Sequence, residues 1–311
     1  MDFIALDETF GGSGSLLASA CSDSGAIVYV IAGGTIYRSS DYGVSFTQMG
    51  SAIAVTPWIA CTGDGGIIYL NSQGNIKISM GGETASVLAG DVGNSPQGLA
   101  CTPDGIIIYS CDLSSSTLRK STDSGFSFVD MGVVIGSANK LTSVACSNDG
   151  VFIYTSSEGD VYFSNDSGLT FSVLGLQIPS ATELRVSCSG DGLTSYVVNK
   201  LDGELFASYD YGANYESINS GFSDNSISIC SSDSAATVYI TTNISRTLYR
   251  TESIPGVTTK LIPENEVGIT TGNLLPAEVK ADIVTGALLG AEAKADIVTG
   301  NLLGAEVSQP I

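Results

Sequence analysis

Six cysteines, Cys21, Cys61, Cys101, Cys146, Cys188 and Cys230, stand 40, 40, 45, 42 and 42 residues apart, so one structural unit recurs along the chain. Before each lies a small or apolar stretch, such as Ala18-Ser19-Ala20 or Gly98-Leu99-Ala100. After it comes an Asp-bearing turn, such as Gly63-Asp64-Gly65 or Asn148-Asp149-Gly150. A tyrosine follows at a fixed distance: Tyr29, Tyr69, Tyr109, Tyr154 and Tyr196 lie eight residues after their cysteine, and Tyr239 lies nine after Cys230. The tyrosine segment is β-branched and aromatic, as in Phe152-Ile153-Tyr154, and a third strand follows a Gly or Asn turn, as in Asp160-Val161-Tyr162-Phe163. Each unit therefore reads as strand, turn, strand, turn, strand.

At the end of the third strand a Ser-x-Asp-x-Gly-x-x-aromatic pattern recurs in phase with those marks. Its copies are Ser39, Asp41, Gly43, Phe46; Ser121, Asp123, Gly125, Phe128; Ser164, Asp166, Gly168, Phe171; and Ser208, Asp210, Gly212, Tyr215. Degraded forms occupy the same place in unit two (79–83) and unit six (251–255). A Ser or Asp oxygen satisfies backbone N–H groups of the hairpin, Gly takes a conformation costly to other residues, and the aromatic plugs the turn into the core. The pattern resembles the Asp-box, also called the bacterial neuraminidase repeat. Repeats of this length with four short antiparallel strands are what a propeller blade requires. The expected fold is all-β, a six-bladed β-propeller of Asp-box repeats over residues 1–262. A ring hides most strand edges, and either 3–10 or 257–262 completes the last blade.

From Pro263 the period changes to 14. Segments 263–276, 277–290 and 291–304 align on Ile269, Ile283 and Ile297, then on Thr-Gly pairs, then on Leu-Leu pairs ending at Leu275, Leu289 and Leu303. Alternating polar and apolar residues favour strands over helix, and a Gly in every unit agrees. Three short units with one apolar face do not bury that face alone. Residues 263–311 are therefore expected to dock on other subunits or a large partner surface. In style they resemble the shaft and attachment segments of viral fibre and virion proteins.

Composition sets exclusions. A net charge of -20, from 32 acidic and 12 basic residues, repels a phosphate backbone, so nucleic acid is not an expected partner. With no histidine, the usual hydrolytic triads and His-based zinc sites cannot be built. The leader 1–8 is acidic where a secretory signal needs a basic and then an apolar segment, and no membrane span or cofactor motif is seen.

The periodic cysteines are expected to be buried packing residues, since equivalent positions in neighbouring blades lie beyond disulfide reach. Cys111 falls outside the period; exposed it would be a reactive thiol, and burial near the second strand is the expected alternative. Asp64, Asp104, Asp149, Asp191 and Asp233 invite a calcium reading; an acid in a type I′-like hairpin turn is the commoner explanation. In the sialidases that the resemblance brings in, the boxes stabilise hairpins away from an arginine triad, a Tyr and Glu nucleophile pair and an Asp acid. This chain has five arginines, with Arg38, Arg119 and Arg250 at peripheral places, and lacks the Phe/Tyr-Arg-Ile-Pro motif. The expectation is a non-enzymatic structural or binding protein: a virion surface, fibre or capsid-decorating protein made in a host cytoplasm. Its propeller would attach to a glycan or protein receptor. The alternatives are a glycan-processing hydrolase of sialidase-like fold, or an assembly factor resembling the photosystem II assembly propellers.

Overall fold

The computed structural model describes residues 3–6, 10, 16–49, 58–72, 75–80, 86–90, 96–113, 116–136, 140–178, 183–218, 225–243 and 245–251. The chain divides into two units, Met1–Glu252 and Ser253–Ile311, and every described residue belongs to the first.

Strand β1 (Phe3–Leu6) opens the chain, and blade 1 follows as β2 (Leu16–Cys21), β3 (Val28–Ala32), β4 (Thr35–Ser39) and β5 (Thr47–Met49). Blade 2 is β6 (Trp58–Cys61), β7 (Ile67–Ser72), β8 (Asn75–Met80) and β9 (Ser86–Gly90). Blade 3 is β10 (Pro96–Cys101), β11 (Ile108–Asp112), β12 (Arg119–Ser121) and β13 (Val129–Asp130). Blade 4 is β14 (Leu141–Cys146), β15 (Ile153–Ser157), β16 (Asp160–Ser164) and β17 (Ser172–Gln177). Blade 5 is β18 (Leu184–Cys188), β19 (Ser195–Asn199), β20 (Leu205–Ser208) and β21 (Glu216–Ile218). Blade 6 takes β22 (Ser226–Ser231), β23 (Val238–Thr242) and β24 (Leu248–Thr251), and β1 returns to pair antiparallel with β24 as its outer strand. All six sheets are antiparallel, and each first strand packs beside the first strands of its two neighbours, with β22 meeting β2. The molecule is the expected six-bladed β-propeller, and segment 3–10 supplies the closing strand.

Each blade is covered by a neighbour on both faces, so the second strand of blades 1, 3, 4, 5 and 6 is buried along its whole length, as in Val28–Ala32, Ile108–Asp112 and Val238–Thr242. That is why Val28–Ala32 reads as a continuous apolar run, and why even Ser110 and Asp112 in blade 3 and Thr241 and Thr242 in blade 6 are buried. The periodic tyrosines fill the gaps between blades: Tyr29, Tyr69, Tyr109, Tyr154, Tyr196 and Tyr239 are among the largest fully buried side chains. Burial of each ring contributes on the order of 2 kcal/mol. Each hydroxyl also donates to a turn carbonyl of the next blade: Tyr29 to Gly65, Tyr69 to Gly105, Tyr109 to Gly150, Tyr154 to Gly192, Tyr196 to Ala235, and Tyr239 back to Gly25. The last of these, at 2.8 Å, closes the ring independently of β1.

The turns after the first strands differ from the type I′ expectation. Only their fourth residue lies in the left-handed region, Gly25 at φ 74° for instance, and in blade 6 Ala235 holds that place at 57°. Register also corrects the cysteine period. Cys21 pairs with Val28 and Cys188 with Ser195, each one residue before its tyrosine, but in blade 6 it is Ser231 that pairs with Val238. Cys230 sits one place earlier, opposite Tyr239, which is why its spacing to the tyrosine is nine rather than eight.

Candidate functional site

The four Ser-x-Asp-x-Gly loops sit between the third and fourth strands of blades 1, 3, 4 and 5, one to a blade, so the ring separates them. In blade 1, Ser39 Oγ donates to Asp41 Oδ1 at 2.7 Å and accepts from Gly43 N at 2.8 Å, while Asp41 Oδ1 accepts from Ser45 N at 2.9 Å. Ser121, Asp123 and Gly125, Ser164, Asp166 and Gly168, and Ser208, Asp210 and Gly212 repeat that network. Hydrogen bonds from Ser45 and Thr170 hold Asp41 and Asp166 down at about 2, and those from Ser127 and Asn214 hold Asp123 and Asp210 below the ordinary carboxylate range. The aromatics pack into the seam between blades: Phe46 near Tyr239, Phe128 near Tyr69, Phe171 near Tyr109 and Tyr215 near Tyr154. Gly168 lies at φ 87°, and a Cβ there would collide with Met131 of the preceding blade.

Each loop docks on the first turn of its own blade, as Tyr42 N donates to Ala26 O and Tyr211 N to Leu193 O. First turns and box-like loops thus share one end of the blades, which we call the loop face. Val44, Phe126 and Leu169 follow the loop glycines and stand 64%, 68% and 72% exposed. The expected tail contacts Ile269, Ile283, Ile297, Leu275, Leu289 and Leu303 lie outside the described residues.

Along the axis runs a tunnel of about 140 Å³, lined by the first strands. Towards the loop face Cys21, Cys61, Cys101, Cys146, Cys188 and Ser231 ring its end. Burial pushes the thiols of Cys61, Cys101, Cys146 and Cys188 up, Cys146 to about 12, and the hydrogen bond with Cys230, then burial, raises Cys21, so they stay protonated and inert near neutral pH. Cys111 is buried as expected, its thiol pushed by burial up to about 12. Among the described residues no group of three or more Cys, Asp or Glu side chains converges to hold a metal ion.

Both tunnel mouths are plugged. At the loop face a backbone ring forms: Asp23 N donates to Gly63 O, Gly63 N to Pro103 O, Asn148 N to Gly190 O, Gly190 N to Asp233 O and Asp233 N to Asp23 O. Asn148 Nδ2 donates to Asp233 Oδ1 at 2.7 Å across Gly190, where a Cβ would overlap both groups. The Asp23 carboxylate lies over Gly63 in the same way. Burial, then the charges of Asp233 and Asp64, raise the Asp23 pKa. Asp233 therefore belongs to this mouth rather than to the turn set Asp64, Asp104, Asp149 and Asp191; its counterpart in that set is Ser234. The turn set is engaged locally, for instance with Thr62 Oγ1 donating to Asp64 Oδ1 at 2.6 Å.

At the opposite mouth Arg185 of blade 5 crosses the axis to lie over Trp58 of blade 2, 4.8 Å from the ring centroid. It is 3% exposed and donates to Thr142 O at 2.8 Å and to Glu183 Oε2 at 3.1 Å, with Lys200 on the same carboxylate. These plugs escape the motif search because they sit where the repeat is broken. Trp58 and Arg185 stand three residues before their cysteines, where other blades carry Ala18, Gly98 and Ser143.

No protein family and no curated protein sequence matches this chain. Among solved structures, a GH74 enzyme from Niastella koreensis matches 76% of this chain and 36% of its own, with a TM-score of 0.52 and 18% identity. The GH74 xyloglucanase from Xanthomonas campestris matches 75% and 36%, with a TM-score of 0.52 and 19% identity. An auxiliary nutrient binding protein from Bacteroides thetaiotaomicron matches 79% and 71%, with a TM-score of 0.62 and 9% identity. The chain thus spans 36% of the length of either GH74 structure, and at these identities the likeness is one of fold. It nevertheless overturns the expectation that this chain is not an enzyme, because enzymes carry the same fold. Lacking the arginines of one active-site plan says nothing about a plan built on other residues. No helix among the described residues is long and apolar enough to cross a membrane.

Proposed function

We propose that this chain is an Asp-box propeller serving as an attachment module, with the loop face binding a glycan or protein and residues 263–311 fixing it in a larger assembly such as a virion surface or fibre. The observation that carries the reading is the exposure of Val44, Phe126 and Leu169 on loops whose internal hydrogen bonding is already complete. The fold gains nothing from turning these side chains to water, and a partner lying across the loop face would gain apolar contact with them. The nutrient binding protein supports a binding role for a similar ring. The test is to delete residues 263–311 and measure mass by light scattering and co-purification with particles. The full chain is expected to associate and the shortened chain to stay monomeric and free; equal behaviour would overturn the docking role.

The GH74 matches favour a second reading, a glycan-processing hydrolase. Such chemistry needs two carboxylates about 5 Å apart for retention or about 6.5–9.5 Å for inversion. Turnover of xyloglucan or of chromogenic glycosides, lost on substituting one surface carboxylate by its amide, would establish it.

A further inference from the structure

The box-like loops are near-copies, so a departure in one blade is set against controls in the others. Between the loop Ser and Asp stand Ser40, Thr122 and Asn165 in blades 1, 3 and 4, but Tyr209 in blade 5. Tyr209 is 51% exposed and walls a pocket of about 370 Å³ with Ala207, Asp210, Asn214, Tyr215 and Glu216. That volume is in the range of small-ligand sites. Ala207 and Glu216 are direct partners across β20 and β21, which places the Glu216 side chain over the pocket floor. Hydrogen bonds from Asn214 keep Asp210 ionised, and the Glu216 carboxylate is near enough to Tyr209 to add to desolvation in raising its phenol.

No lysine or arginine lines the pocket. An electron-rich ring beside two carboxylates, on a chain of net charge -20, is complementary to an organic cation: the ring face attracts it and the carboxylates pair with it. An anion would be repelled. A neutral sugar would cover the ring but leave the charges without a counterpart.

We propose that blade 5 carries a binding site for an arginine or lysine side chain of a basic protein partner, between Tyr209 and Glu216. The surroundings argue for a protein rather than a free amine. Tyr211 and Leu193 of the same blade and Leu169 of the preceding one are exposed on the loop face, offering apolar contact to the residues flanking the basic one. Asp149, Asp166 and Asp191 stand on that same face, so a basic segment meets matching charge along its length. The proposal rests on the attachment reading and narrows it to one class of partner.

The test uses the full chain and a short fluorescein-labelled peptide alternating arginine and leucine, with a glutamate-for-arginine peptide as control, read by anisotropy at low and high salt. Binding of the arginine peptide is expected, weakened about tenfold by Tyr209→Ser and by Glu216→Gln and unchanged by Ser40→Ala in blade 1. Tyr209→Ser restores the residue that blade 1 already carries, so the fold is retained, which an unaltered melting curve checks. Peptide binding that ignores both variants is diffuse attraction to an acidic protein and overturns the site, as does no peptide binding. A glycan-array signal lost in Tyr209→Ser would sink this proposal while leaving the attachment reading standing. Silence on both peptide and array would sink the two together.

Discussion

At the scale of single residues the fold depends on hydroxyls and carboxylates placed once per blade. Tyr239→Phe keeps the buried ring but removes the donor to Gly25 O, so a loss of about 1 kcal/mol is expected in urea unfolding. The pH dependence follows from the loop aspartates. Their native pKa values lie below the unfolded ones, so the stability they add is present above about pH 4 and lost as pH falls through about 2 for Asp41 and Asp166. The melting temperature is therefore expected to drop across that window and to be nearly flat from pH 5 to 7 in respect of these groups. Asp23 runs the other way. Its native pKa is raised, by burial first and by Asp233 next, so Asp23→Asn is expected to raise the melting temperature at pH 7. That gain should vanish below about pH 4, where the carboxyl is protonated in both native and unfolded states; a gain independent of pH would contradict the assignment.

At the scale of strands the closing element is β1. Leu6 lies against Gly43 of blade 1 and packs with Tyr37 and Leu248, so β1 joins the first and last blades by side chains as well as by its ladder to β24. Removing residues 1–9 leaves the backbone of Leu248–Thr251 as an open edge. The shortened chain is expected to melt lower and to self-associate with rising concentration, measured by light scattering. How much of this was legible depended on what repeats. Cys, Tyr and the Ser-x-Asp-x-Gly loop marked strand order and blade number, because a position buried between blades admits few side chains. Closure could not be read, since the leader and segment 257–262 both have strand-like patterns and pairing across the whole chain leaves no local mark. Cys230 misled because a one-residue shift changes which face a side chain takes, and only the pairing of Ser231 with Val238 reveals it. The roles of the mouth residues were hidden for the opposite reason: Asp23, Asn148, Asp233, Trp58 and Arg185 matter where the units differ, and Asp233 reads in the sequence as one more turn acid. Tyr209 and Glu216 belong with them.

At the scale of the whole molecule no blade stands alone, because the core clusters lie between blades, as where Tyr154 of blade 4 packs with Val186 and Val197 of blade 5. Unfolding of the propeller is therefore expected as one transition, with Tyr109→Phe in blade 3 shifting the whole curve rather than creating a step, as circular dichroism and tyrosine fluorescence together would show. The backbone ring at the tunnel mouth gives that circle a direction. Each amide on it is handed to the next blade until Pro103, which has no N–H to hand to Asn148. The gap lies between blades 3 and 4, diametrically across from the place where β1 and Tyr239 fasten the ends. What looks like a closed washer is a split one. The two half-discs, blades 1 to 3 and blades 4 to 6, meet at one edge where the backbone circle is continuous and at one where it is not, and at the second it is Tyr109, donating to Gly150 O at 2.8 Å, that carries the hydrogen bond across.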